Sequence, residues 1–265
     1  MSISSFSRAV EGNGARAGEA RGQSRMRLLS EPIMSPIAEN LQEARRRISE
    51  ALQGDSRAVT LVAVSKTHPP EMVREAFAAG QRDFGENYVQ EGVAKMTALA
   101  DLAATWHFIG ALQGNKAREV AERFDWAHGV DRAKIADLLS RHRPAGRAPL
   151  QVCVEVNISE EATKSGVKPG EALALARHVA SLPGLRFRGL MGMASPSGDE
   201  AKARSEFAVL RRELEAIRAA GIACDTLSMG MSQDWRAALA EGATMLRIGT
   251  AIFGAREAHA WRAAS

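Results

Sequence analysis

The feature that most constrains this chain is a rhythm. Apolar runs suited to strands occur at Val59 to Val64, Gln81 to Phe84, Trp106 to Ile109, Trp126 to Val130, Gln151 to Ile158, Arg186 to Met191, Thr226 to Met229 and Met245 to Ile248. Each is followed by a segment with helical character. Pro69 and Pro70 open one such segment and Gly80 closes it, Asp131 is placed to cap another, and Pro169 opens the one running toward Leu182. Alternating β and α units predict a parallel sheet with helices outside it, and eight units within roughly 210 residues fit a single closed (β/α)8 barrel of the α/β class. A doubly wound open sheet is the alternative. Upstream, Ile37, Leu41, Ala44, Ile48 and Leu52 recur at helical spacing, which adds one helix from about Ser35 to Leu52.

The remaining segments are short. Met1 to about Pro32 is rich in Ser, Gly, Ala, Arg and Glu without apolar periodicity, so it buries too little surface to offset its ordering entropy. We expect a disordered extension over residues 1–33, a barrel over 34–258 and a tail over 259–265, with Met26 or Met34 as possible alternative starts. No residues remain for a second folded domain.

Composition narrows the function classes. The chain is 45% apolar and 25% charged, as ordinary globular proteins are. It has no apolar run of roughly 18 residues and no secretory leader, which predicts a cytoplasmic protein that does not enter a membrane. The net charge of +4 comes from scattered arginines such as Arg45, Arg46 and Arg47, with no basic run interleaved with aromatics, so nucleic acid is not an expected partner. Cys153 and Cys224 stand far apart in apolar, strand-like surroundings and read as buried structural thiols. The six histidines lack metal-ligand spacing.

Functional side chains of such barrels gather where strands end. Lys66 falls at the end of the first run, in Val64-Ser65-Lys66-Thr67. A surface lysine is the ordinary reading. A barrel-mouth lysine, partly desolvated, would instead supply the neutral amine that imine formation requires. The second loop reads Phe84-Gly85-Glu86-Asn87-Tyr88, a polar turn that brings an amide, Asn87, to the same face. In Trp106-His107-Phe108-Ile109-Gly110, His107 lies within an apolar strand and reads as a satisfied core histidine.

The loops after strands seven and eight are the usual phosphate cradle of the fold. Here they contain Ser228-Met229-Gly230-Met231-Ser232 and Arg247-Ile248-Gly249-Thr250. Hydroxyls of Ser228 and Thr250 and the bare backbone of Gly249 suit an anion, although tight turning alone also explains them. Arg247 shares a strand face with Gly249 and needs an inward partner, either a strand acid such as Glu155 or a bound heteroaromatic nitrogen.

Together with Lys164-Ser165-Gly166, these motifs resemble in order and spacing the pyridoxal phosphate homeostasis protein family over about Ser35 to Arg256. That family is similar to the barrel half of a bacterial alanine racemase. The resemblance implies pyridoxal 5'-phosphate as cofactor, held as a Schiff base on Lys66. Ser228, Gly249 and Thr250 would hold its phosphate, with Met229 beside them, and Arg247 would meet the pyridine nitrogen. Asn87 would lie near the phenolic oxygen or the imine, while Ile109 and Gly110 would line the pocket. Lys164 matches a family position to which no role is attached. Ala111 and Gly114 depart from the family's usual Pro and Ser.

Racemisation needs acid-base groups on both faces of the substrate α-carbon, and the one tyrosine, Tyr88, belongs to the second loop. The expectation is therefore a carrier that buffers or delivers pyridoxal phosphate. It would be monomeric, non-catalytic, and in transient contact with apo enzymes that need the cofactor. A single-domain amino-acid racemase is the rival, and a sugar-phosphate lyase or aldolase using Lys66 is the third possibility.

Overall fold

A computed structural model of the chain describes residues 34–255 apart from 160, 162 and 163. The extension at 1–33 and the tail at 259–265 lie outside the described residues. The order is α1 (Pro36–Ala51), β1 (Thr60–Val64), α2 (Pro70–Ala78), β2 (Asp83–Glu86), α3 (Val89–Ala98), β3 (Thr105–Phe108), α4 (Ala117–Arg123), β4 (Trp126–Val130), α5 (Ala133–His142) and β5 (Leu150–Glu155). It continues with α6 (Ala172–Ser181), β6 (Leu185–Met191), α7 (Glu200–Ala219), β7 (Thr226–Ser228), α8 (Trp235–Ala240), β8 (Met245–Ile248) and α9 (Thr250–Phe253). The sheet is a closed parallel barrel in the order β1 to β8. Pairing of β8 with β1, from Thr60 against Met245 to Ala63 against Ile248, excludes the open sheet.

Alternation along the strands separates two cores. Outward side chains such as Phe84, Phe108, Leu190 and Leu246 pack with helix residues including Ile135, Leu139, Phe207 and Leu210. Burying each such side chain contributes about 1.5–3 kcal/mol. Inward residues Val62, Trp126, Cys153, Met191 and Met245 form a smaller cluster inside the barrel. Helix α1 buries Ile37, Leu41, Ala44 and Ile48 and is capped by Ser35 Oγ, which accepts from the Ala38 amide at 3.3 Å. Its Asn40 donates to the Ile252 carbonyl at 3.0 Å, tying α1 to α9. Among the described residues no helix is long and apolar enough to cross a membrane.

Several local expectations shift. Strand β2 starts two residues late because Gln81 turns its amide onto the Leu61 and Asp83 carbonyls, at 2.6 and 2.7 Å. Arg132, not Asp131, is the N-cap residue of α5, and Asp131 pairs with the Arg132 guanidinium at 2.6 Å. Cys153 is buried, but Cys224 is half-buried in the loop before β7.

The pairing of β5 with β6 steps from Val152 against Phe187 to Cys153 against Gly189, so Arg188 is the extra residue of a bulge. Gly189 there has φ +152°, and a Cβ on it would lie 2.0 Å from the Thr226 carbonyl oxygen. Gly189→Ala should therefore destabilise the protein by about 3 kcal/mol or more. Gly170, at φ +88° with open space around it, should lose only about 1 kcal/mol as Ala. Urea unfolding of the two variants checks the contrast; equal losses would refute it.

Candidate functional site

The chain turns sharply as it leaves β1. Ser65, Lys66, Thr67 and His68 form a turn closed by the His68 amide on the Ser65 carbonyl at 3.1 Å. Thr67 sits at φ +67°, a left-handed conformation costly for a β-branched residue. Helix α3 holds it there: the Glu91 carboxylate accepts from the Thr67 amide. One turn along that helix, the fully buried Lys95 donates to Ser65 O at 2.6 Å, Glu86 Oε1 at 2.7 Å and Glu91 Oε1 at 2.7 Å. Ser65 Oγ also donates to Glu86, at 2.6 Å. Burial pushes the Glu86 carboxyl above the ordinary carboxylate range, against the pull of Lys95 and with the help of Glu91. One ammonium between two carboxylates thus fixes the backbone on both sides of Lys66.

Lys66 is half-buried on the wall of a cavity of about 440 Å³ at the C-terminal ends of the strands. Asn87, Ile109, Arg247, Gly249 and Thr250 share that wall. Gly110, Ser228 and Met229 do not. Gly110 packs behind it, where a Cβ would stand 2.3 Å from the Asn87 carbonyl oxygen, so the absence of a side chain lets the third strand approach the second loop. Met229 is buried in the outer core. The Ser228 hydroxyl lies deeper, accepting from Arg247 Nη1 at 2.7 Å and paired with His128 Nδ1 at 2.8 Å.

Arg247 is 4% exposed. Its partners are Ser228 and the Gly192 carbonyl, at 3.2 Å, with no ion pair to Glu155. Burial lowers its pKa, while the fields of Asp234 and Glu155 favour its charge. Asn87 Oδ1 is a buried acceptor without a hydrogen-bond partner among the described residues. Lys164 sits apart from the wall, paired with Glu161 at 3.0 Å and with the Ala194 carbonyl at 3.3 Å.

Several parts of the wall are not foreseen from the sequence, among them His68 and the loop from β6 to α7. His68 is buried there and stacked on Phe253, with ring centroids 5.2 Å apart. The loop from β6 to α7 adds Met193 and Ser195. A signal for that loop exists: Pro196-Ser197-Gly198-Asp199 reads as a turn into a helix, and Asp199 caps α7 by accepting from the Ala201 and Lys202 amides.

A closed barrel with an amine, an arginine and a glycine-threonine loop around one mouth defines a class. Residues 34–257 match the family described as alanine racemase, N-terminal domain. The pyridoxal phosphate homeostasis protein of Pseudomonas aeruginosa is 54% identical over 227 residues, which span 84% of this chain and 97% of the relative. That of Escherichia coli strain K12 is 49% identical over 235 residues, 84% of this chain and 98% of the relative. The structure of PipY from Synechococcus elongatus PCC7942, with PLP bound, is similar at a TM-score of 0.72 and 40% identity, over 82% of this chain and 100% of that one. This chain belongs to the pyridoxal phosphate homeostasis protein family.

Behind the cavity, burial pushes the Glu155 carboxyl up to about 7, with Asp131 raising it further and Arg247 opposing. A raised folded-state pKa gives stability that is complete below the unfolded value, near 4.5, and that is lost as pH rises through about 7. Glu155→Gln should therefore raise stability by about 1–3 kcal/mol above about pH 8 and leave it unchanged below about pH 4. Denaturation at both pH values checks the sign; a variant less stable at the higher pH would contradict it.

Proposed function

We propose that this chain binds pyridoxal 5'-phosphate covalently through Lys66 and serves as its intracellular carrier, buffering the cofactor and passing it to apo enzymes in the cytoplasm. The observation that carries this reading is the cavity wall itself. The primary amine of Lys66, the buried Asn87 Oδ1 that is unmatched among the described residues, the donor-only Arg247 and the Gly249-Thr250 turn face one space of about 440 Å³. That volume lies within the range of roughly 300–1,000 Å³ typical of small-molecule sites.

The residues fit the cofactor group by group. Pyridoxal phosphate supplies an aldehyde that condenses with a primary amine and a ring that draws electrons from attached carbons. Lys66 would hold the aldehyde carbon. The amides at the start of α9 have no intrahelical acceptors, and with the Thr250 hydroxyl they would hold the phosphate. Arg247 would face the pyridine nitrogen, and because a guanidinium keeps its protons the ring nitrogen would stay unprotonated, which would weaken carbanion chemistry. Asn87 would orient the ring, with Ile109 against it. The Ser228 hydroxyl, engaged below Arg247, supports that arginine instead of the phosphate.

Carriage is favoured over racemisation by the relatives, whose names denote homeostasis, and by the position of Tyr88. This tyrosine is 59% exposed and lies outside the cavity wall. The purified protein with pyridoxal phosphate should show an absorbance band near 420 nm, about where the covalent cofactor absorbs, and should not interconvert L- and D-amino acids on prolonged incubation. Lys66→Ala should lose the band and stay folded. Thr250→Val should weaken binding by about 1–2 kcal/mol. A retained band in the lysine variant, or appreciable turnover, would overturn the reading.

A further inference from the structure

Beneath the cavity a line of hydrogen bonds crosses the barrel interior. It runs from Asp83 Oδ1 to His107 Nε2 at 3.0 Å, from His107 Nδ1 to His128 Nε2 at 3.0 Å, and from His128 Nδ1 to Ser228 Oγ at 2.8 Å. Arg247 Nη1 then donates to the same oxygen at 2.7 Å. The residues belong to β2, β3, β4, β7 and β8, and β4 is not a neighbour of β7, so the line spans the barrel instead of following the sheet. His107, His128 and Ser228 are fully buried, whereas the Asp83 side chain is 29% exposed. Trp126 stacks on His107 with centroids 5.3 Å apart, walling the line from water.

The chemistry of the two ends gives the line a direction. Asp83 is an acceptor, so His107 Nε2 must carry a proton, and in a neutral ring His107 Nδ1 then accepts. His128 Nε2 must therefore donate, which leaves His128 Nδ1 to accept from the Ser228 hydroxyl. With its one proton committed downward, the Ser228 oxygen presents lone pairs to Arg247, a group that only donates. Every member is satisfied by one arrangement of protons. A protonated His107 would reverse it, placing the His128 proton on Nδ1 and turning the Ser228 proton away from the ring.

We propose that Asp83, at the opposite end of the barrel interior from the cavity, is a positioning residue for Arg247, acting through two neutral Nε2–H histidines and the Ser228 hydroxyl. Neither imidazole lines the cavity, and burial, the chief cause, holds the His128 pKa well below its ordinary value. Only the consequence for cofactor affinity rests on the reading under Proposed function.

The test is long-range proton–nitrogen correlation NMR on the full chain with ¹⁵N-labelled histidine, followed by titration with pyridoxal phosphate. His107 and His128 should both appear as neutral Nε2–H tautomers before any cofactor is added. Asp83→Leu should move His128 to the Nδ1–H form and weaken cofactor binding by roughly threefold to tenfold, the equivalent of one hydrogen bond. Asp83→Asn, which keeps an acceptor, should preserve both tautomers and the affinity. A charged His107 or an Nδ1–H His128 in the unmodified protein would overturn the proposal, as would an Asp83→Leu variant with unchanged tautomers and affinity. If the tautomers are as stated and no cofactor binds, the carrier reading fails while the positioning line stands.

Discussion

The ammonium of Lys95 is fully enclosed and meets two carboxylates and a backbone carbonyl, drawn from α3, the end of β2 and the turn after β1. An unpaired charge in that position would cost several kcal/mol, so these pieces must assemble together or not at all. The result is a turn whose backbone is held on both sides: the Ser65 carbonyl by Lys95 and the Thr67 amide by Glu91. Lys66 projects from between them. A threonine in the left-handed region is tolerated because this cluster overdetermines its geometry.

From that turn the rest of the mouth follows. Strand pairing sets β8 beside β1, which brings Gly249 against Val64, with 3.0 Å between a Cβ at Gly249 and the Val64 carbonyl oxygen. The lysine and the candidate anion loop therefore share one wall. Arg247, one strand period before Gly249, turns into the barrel and is held by Ser228 and Gly192. Beside it the interior holds the apolar cluster of Val62, Trp126, Cys153, Met191 and Met245. The polar line from Asp83 to Ser228 is thus the route by which the lower barrel touches the pocket's arginine.

Much of this architecture is legible in sequence because period and punctuation are local signals. Eight apolar runs, the prolines before α2 and the helical spacing ahead of β1 need no tertiary knowledge, and they place Lys66, Asn87, Ile109, Arg247, Gly249 and Thr250 at strand ends. Depth is not local. Ser228 and Thr250 both carry hydroxyls at a strand end, yet one points into the barrel beneath an arginine and the other stands at the mouth. Nothing along the chain distinguishes them. His107 is a core histidine as its apolar strand suggests, but its partner, His128, comes from the next strand and pairs only once the barrel closes. Lys95 looks like any charged helical residue until β2 and the β1 turn enclose it.

The central claim is that Lys66 is the amine this pocket offers. Borohydride reduction of the protein mixed with pyridoxal phosphate, followed by peptide mapping, tests it most directly. A pyridoxyl mass on the peptide containing Lys66, and on no other, is the predicted result. A modified peptide containing Lys164, Lys116 or another lysine in its place would contradict the account.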